Sequence, residues 1–547
     1  VARQGEQGGT TMRRRTFLGN SVLTGAGMLV PGGLYGQTTV RDTATISILH
    51  TTDLHGHVLP TSNYQGEGDL GGLARCAAQI RKWRKENPAN LLVDVGDVYQ
   101  GTPVGWQTRG RLMIDLFNKL QYDAWVLGNH EFDWGPEVVL DALSRSKMPV
   151  LTGNMNLEGK RAGSWEDVEH PFARILPHLV KEVGGFKVGL IGMVTPGLPY
   201  WLRPELLKGF EVLPPAEILK ESVRFLREEA KVDAVVVCGH MGLQEEDDFA
   251  NPTRGLISGD CGVDVFLGGH THRNQESREE GGVLYTQADY FGIHCGRVDL
   301  IFDRETRALV GKRAMTALMD ARIEADPVVL EAAAKDLEEA KTYMEVEVGE
   351  VLGTISHNSG GQGKSSLLQH LISAALEHAA KKDKLVPDGV FHGTFGSGTM
   401  EPGKKTMADM WKVLPYENRV VALYLTREEI VSVMNESLQI SSDRALYGFE
   451  LELERAEASK GEQKTEVFVR SLRSVRTPDA PVGHRYCVLC NAYDAQSGGK
   501  RLMRLRALAQ SPECKATLLT MSSREALIDY FGDLGTVRAS GLKAVAG

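Results

Sequence analysis

The sequence predicts an α/β protein of two lobes joined by a helix, and three observations carry that reading. Over residues 43–318, short β-rich apolar runs alternate with helix-like stretches, the pattern of helices layered on a largely parallel sheet. Residues 328–344 are strong helix formers, and a second set of strand and helix patterns follows from 346 onward, opening with a strand near 348–355 and a helix over 365–380. Nearly every apolar run of the first lobe ends in a side chain able to bind a metal. Open α/β sheets gather their ligands beyond the carboxyl ends of strands.

Taken in order, the run 44–49 leads to Asp53-Leu54-His55, the run 91–95 to Gly96-Asp97, and the run 124–127 to Gly128-Asn129-His130-Glu131. The run 188–191 leads to no such side chain. The run 234–237 leads to Gly239-His240, and 263–267 to Gly269-His270-Thr271-His272. In Asp-x-His and His-x-His an extended backbone would point both side chains one way, and the preceding glycines allow tight turns. One such fragment is weak, but five in the same structural place point to a dinuclear metal site. Asp53 and Asp97 bring two negative charges, and Asn129 and the histidines none. Two divalent ions would leave about +2 for an anionic ester and lower the pKa of a bound water toward ~7. Mixed nitrogen and oxygen ligands suit Mn, Fe, Zn or Co.

Composition bounds the rest. The 547 residues, 42% hydrophobic and 24% charged, fit a soluble globular chain and exclude disordered, collagen-like and multi-span membrane classes. Lys+Arg 62 against Asp+Glu 71 gives a net charge of −9, which argues against a general nucleic-acid binder but leaves room for a local cationic site. Seven scattered cysteines make no disulfide framework. Cys487 and Cys490 sit three apart on an expected strand and so face opposite ways, which opposes a zinc or redox pair. Gly361-Gln362-Gly363-Lys364-Ser365 imitates a phosphate-binding loop, but the pattern needs glycine where Asn358 stands.

Near the N-terminus, Arg13-Arg14-Arg15-Thr16-Phe17-Leu18 precedes a small-residue apolar stretch broken by Gly19, Asn20 and Thr24, too short for a membrane span. It resembles a twin-arginine export signal. The expected organisation is an export signal over 1–36, a catalytic domain over 43–318, a linker helix over 319–345 and a C-terminal domain over 346–547. The mature protein is expected to be a monomer, periplasmic or extracellular.

Asp53-x-His55, Gly96-Asp97, Gly128-Asn129-His130-Glu131-Phe132-Asp133, Gly239-His240 and Gly269-His270-Thr271-His272 together resemble the calcineurin-like metallophosphoesterase superfamily. Within it the chain is most similar to the bacterial 5′-nucleotidase/2′,3′-cyclic phosphodiesterase family. The resemblance implies a four-layer αββα catalytic domain plus a smaller α/β substrate-binding domain. It implies one metal on Asp53, His55, Asp97 and His272, and a second on Asp97, Asn129, His240 and His270, with a bridging hydroxide as nucleophile. His130 would stabilise charge or protonate the leaving oxygen, and Asp133 would orient its ring. The remaining histidines, His50 and His57 among them, read as structural.

In the second lobe, Leu414-Pro415-Tyr416-Glu417-Asn418-Arg419-Val420-Val421, Gly403-Lys404-Lys405-Thr406 and the stretch from Tyr486 to Gly499 resemble the family's substrate domain. That implies a nucleoside held between two rings, for which Phe449 and Tyr493 are the candidates, with Asn418 touching substrate. Two departures bear on recognition. The family's Asn-x-Gly-Gly-x-Arg loop is replaced by residues 392–399, leaving no arginine between Arg322 and Arg419, and its Gly-Gly-Asp reads Gly498-Gly499-Lys500. Lys404, Lys405 and Lys500 are the candidate replacement cations. The expected activity is hydrolysis of a small nucleotide-like phosphate monoester with weak discrimination. The alternatives are a 2′,3′-cyclic nucleotide phosphodiesterase, a thiosulfohydrolase of a sulfur-oxidation system on the same scaffold, and a non-catalytic binding protein. The last is opposed by the retention of all seven candidate ligands and His130.

Overall fold

Two β-sheets face each other in the first lobe because their strands alternate apolar side chains between two buried faces. The computed structural model describes residues 42–358, 365–393, 398–440, 444–456 and 466–542. The twin-arginine segment, residues 361–364 of the glycine-rich stretch and residues 394–397 of the substituted loop lie outside them.

The first sheet has seven strands, in spatial order Leu309–Leu318, His294–Asp303, Thr43–Thr51, Asn90–Asp94, Ala124–Val126, Val150–Leu151 and Ile175–Leu176. The five from Thr43–Thr51 onward are parallel, and the two edge strands at the other side are antiparallel. The second has six strands, in the order Asn274–Glu280, Val283–Ala288, Val265–Gly268, Ala234–His240, Phe186–Val194 and His178–Val183, with a parallel centre and antiparallel edges.

Ile46, Ile48, Val93 and Val126 of the first sheet pack against Val188, Leu190, Val236 and Cys238 of the second, forming the inner core. The intervening residues Val235 and Val237 point the other way, onto Ile218, Leu219 and Val223 of the helix Pro215–Arg224. Leu49, Leu92 and Trp125 likewise point outward, under the helices Leu73–Glu86, Arg111–Leu120 and Pro136–Arg145. The result is four layers, helix, sheet, sheet, helix, as expected. Each fully buried aliphatic side chain contributes about 1.5–3 kcal/mol, and because both faces of the central strands carry such side chains, both faces are covered.

The helix Pro327–Glu345 starts at Asp326, whose carboxylate accepts the Val328 and Val329 N–H groups. Its Val329, Ala333 and Ala340 are buried with the outer core of the first lobe. In the second lobe, a five-stranded sheet runs Ala445–Tyr447, Gly389–His392, Tyr486–Asn491, Arg419–Leu425 and Thr517–Ser522. Cys487 belongs to the core on one side of this sheet and Cys490 to the core on the other. Burial pushes both thiols up, Cys487 to about 11. They do not form a ligand pair. Residues Thr43–Gly547 make one unit in which the two lobes touch.

Candidate metal centre and substrate cavity

All five ligand-bearing strands of the first lobe end at the same edge of the sandwich, and their loops converge there. The backbone solution differs from the expected one. The first strand ends at Thr51, and Asp53 and His55 follow with φ of 50° and 48°. Asp97, His270 and His272 also take φ between 51° and 71°. The paired side chains therefore converge through left-handed turns and not along an extended strand. Non-glycine residues rarely adopt that region, and such strain clusters where geometry is functional. Gly128 shows how tight the packing is: a Cβ there would lie 2.1 Å from Asp97 Oδ1.

Potential ligand atoms of Asp53, His55, Asp97 and His272 lie within 4.8 Å of one another, as do those of Asp97, His240 and His270, so Asp97 is common to both groups. Asn129 Oδ1 joins the second group, 2.8 Å from His270 Nδ1 and 3.2 Å from His240 Nε2. Asp53 accepts the His270 backbone N–H, and Asp97 Oδ1 accepts that of His130 at 2.8 Å. His55 Nδ1 donates to the Gln100 carbonyl and His240 Nδ1 to that of Val95. These bonds make Nδ1 the donor in each ring and turn both Nε2 atoms inward; burial pushes His240 down, but Asp97 outweighs it and raises the ring to about 9.

The donor set fits a cation on physical grounds. His55 Nε2 lies 2.9 Å from His272 Nε2 and 3.7 Å from Asp97 Oδ2. Burial pushes His55 and His270 down to about 3, leaving neutral imidazoles. Burial opposes charge on Asp97, but His240 and His130 hold its carboxyl well below the usual carboxylate range. Converging lone pairs around an ionised carboxylate are the arrangement a divalent ion neutralises.

His130 lies beside these groups with its Nδ1 2.7 Å from Asp133 Oδ2. Burial would push His130 down, yet Asp133 and Asp97 outweigh it and hold the ring protonated, at about 10. Glu131, quoted in the motif without a role, is fully buried and accepts the N–H groups of Asp97, Val98 and Gly128 at 2.6–3.0 Å. It ties the Asp97 and Asn129 loops together.

A cavity of about 380 Å³ opens from this edge, lined by Asn129, His130, Asp133 and His270 on one side and by Tyr416, Asn418, Tyr493 and Arg501 on the other. Asn418 and Tyr493 thus face the candidate ligands. Phe449 does not, and its expected role is corrected. It is 1% exposed, packs edge-on against Tyr486 at 5.3 Å and lies under Gly389. Its hydrophobic area is spent in the core beneath the sheet. Lys404 is also elsewhere, paired with Glu347 on the surface, and Lys405 is buried within the strand Gly403–Thr406.

Sequence reasoning missed Trp201, Tyr416, Glu417, Arg501 and Tyr64. Trp201 ends the short helix Leu198–Trp201 that follows the Phe186–Val194 strand, with its ring 5.0 Å from His270. That strand end carried no metal-capable residue and so no signal. Glu417 accepts the indole N–H of Trp106 at 3.1 Å and of Trp134 at 3.0 Å. Through Trp134, one residue beyond Asp133, it fixes the Tyr416–Asn418 segment to the first lobe. Tyr64 Oη is 2.7 Å from His272 Nδ1, behind a candidate ligand.

Residues 46–274 match the family model for calcineurin-like phosphoesterases. A snake venom 5′-nucleotidase from Naja atra is 30% identical over 56% of this chain and 59% of its own length. A putative 5′-nucleotidase from Staphylococcus aureus superposes with a TM-score of 0.69 at 19% identity, covering 90% of this chain and 97% of that one. The sulfate thiohydrolase SoxB of Thermus thermophilus superposes with a TM-score of 0.60 at 18% identity over 90% of this chain and 95% of that one. Both structural likenesses are likenesses of fold. The chain spans about half the length of the curated relatives it matches.

Proposed function

We propose that this chain, a member of the calcineurin-like phosphoesterases through residues 46–274, is a metal-dependent hydrolase of phosphate monoesters with nucleotide-like leaving groups. The observation that carries the reading is the pair of ligand clusters sharing Asp97 beside the protonated His130–Asp133 pair, on the wall of a cavity whose other wall bears Tyr416, Asn418 and Tyr493.

Asp53, His55, Asp97 and His272 would hold one divalent ion, and Asp97, Asn129, His240 and His270 a second. When bound, such ions neutralise the phosphoryl oxygens and make water acidic enough to act as a nucleophile at neutral pH. The chain's own residues do the remainder. Asp133 accepts from His130 Nδ1, which leaves the protonated Nε2 free to donate toward the cavity. The ester P–O bond breaks as a water oxygen joins phosphorus, and the leaving oxygen takes the His130 proton. Tyr493 supplies an aromatic face, and Asn418 an amide, to the leaving group.

The Arg13–Leu18 motif supports export through the twin-arginine route, and among the described residues no helix is long and apolar enough to cross a membrane. The deciding experiment is a hydrolysis screen over aryl phosphates, 5′-nucleotides, cyclic nucleotides and thiosulfonates, with Mn, Zn and Co supplied separately. Turnover of 5′-nucleotides and aryl phosphates is expected. Turnover of thiosulfonates alone would replace the proposal with the thiosulfohydrolase reading.

A further inference from the structure

We propose that Arg501, carried with Lys500 on one turn, binds a second anionic group on the leaving portion of the substrate. The preferred substrates are then phosphomonoesters whose leaving group bears its own phosphate. The inference rests on the phosphoesterase reading and narrows it.

Position is the first argument. Contacts run in sequence from His270 to Trp201 at 5.0 Å, then to the Gly498-Gly499 turn and to Tyr493. A Cβ on Gly499 would lie 3.4 Å from Trp201 Nε1 and 3.1 Å from Tyr493 Oη. Arg501 Nη2 then donates to Tyr493 Oη at 3.3 Å. The guanidinium therefore lies at the leaving-group end of the cavity, beyond Trp201 and Tyr493 from the candidate ligands.

Charge is the second. The cavity's carboxylates are already engaged, Asp133 by His130 and Glu417 by two indoles. The donors of Arg501 meet only the Gly498 carbonyl and a phenol. Lys500 lies over the rings of Tyr200 at 4.4 Å and Phe249 at 4.5 Å, and Arg506 over Tyr200 at 4.5 Å. Arg506 Nη1 is buried and, among the described residues, has no hydrogen-bond partner. Among the described residues, none of these three cations has a carboxylate within ion-pair distance. Of the three, Arg501 lines the cavity, and a guanidinium there without a counter-ion among the described residues, in a chain of net charge −9, is placed for an anion to complete. Arginine's planar fork matches a phosphate in a way an ammonium does not.

Backbone geometry fixes the group in place. Ser497, Gly498, Gly499 and Lys500 all have positive φ, and Ser497 Oγ donates to the Tyr200 carbonyl at 2.6 Å while accepting the Lys500 N–H at 3.0 Å. The catalytic lobe thus holds the turn that presents the cations.

The test compares initial phosphate release from adenosine 5′-monophosphate, adenosine 3′,5′-bisphosphate and adenosine 2′,5′-bisphosphate. The kcat/KM of at least one bisphosphate should exceed that of the monophosphate by about 10-fold, the scale of one hydrogen-bonded ion contact. Arg501→Gln should bring that ratio to near one, and Arg501→Lys should leave an intermediate value. A wild-type ratio near one, or a ratio untouched by Arg501→Gln, overturns the subsite. So does an equal loss on an aryl phosphate, which would put the guanidinium on the transferred phosphoryl group. If no ester at all is turned over, the phosphoesterase reading fails separately, and calorimetric titration decides the subsite. Tighter binding of a bisphosphate than of the monophosphate by the wild type but not by Arg501→Gln sustains it, and equal binding overturns it.

Discussion

The two walls of the cavity are anchored in different parts of the molecule. On the catalytic-lobe wall, side chains are tied to backbone: Asp53 and Asp97 accept main-chain N–H groups, and His55 and His240 donate to main-chain carbonyls. On the facing wall, the anchors run through side chains that cross between lobes. Glu417 is held by two indoles, and Gln496 and Ser497 reach the carbonyls of Pro199 and Tyr200. A wall anchored within its own lobe keeps its shape when one side chain changes. A wall held across the lobe boundary by a few side chains shifts with a single substitution. The difference separates a chemical half, where substitutions should remove activity outright, from a recognition half, where they should change which ester is preferred.

Four substitutions break or sharpen that contrast, in descending order of effect. Asp97→Ala removes the carboxylate common to both ligand groups, so turnover should fall by roughly 10⁴-fold or more and metal analysis should show neither ion retained. Two divalent ions still bound per chain would refute the shared-ligand geometry. His130→Ala should lower kcat by roughly 10²–10⁴-fold while metal content stays at the wild-type value. Loss of metal in that variant would make His130 a ligand instead.

Glu417→Ala leaves two indole N–H groups without their acceptor and frees the Tyr416–Asn418 segment. It should cut kcat/KM for adenosine 5′-monophosphate by about 10- to 100-fold, and for a small aryl phosphate by far less. Equal losses on the two substrates would show that Glu417 serves the chemical wall as well. The smallest effect belongs to Tyr493→Ala. Losing one stacking face should raise KM for adenosine 5′-monophosphate about 5- to 50-fold with little change for the aryl ester. If both KM values rise together, Tyr493 does not meet the base.

Much of the chemical wall is legible in the chain because its ligands follow directly on apolar strands. Strand alternation and a parallel sheet together require those strands to end at one edge, so Asp53, Asp97, Asn129, His240 and His270 meet by topology. The manner of their meeting was not legible. Left-handed turns at Asp53, His55, Asp97, His270 and His272 leave no mark in residue type, because only the surrounding packing holds those angles.

The recognition wall is read poorly for a related reason. Phe449 and Tyr493 are both aromatic residues of the second lobe, and nothing local to either says which is buried. Phe449 is consumed by the core beneath Gly389, whereas Tyr493 begins a turn of helix, Ala492–Ala495, that ends at the cavity. Trp201 and Arg501 come from segments about 300 residues apart and meet only because the lobes dock. What the sequence by itself determined is therefore the α/β layering, the edge at which chemistry collects and the candidate ligands, which follow directly on short apolar strands. What only the tertiary structure decided is which aromatic rings and cations face the substrate, since that depends on how two separately folded surfaces are brought together.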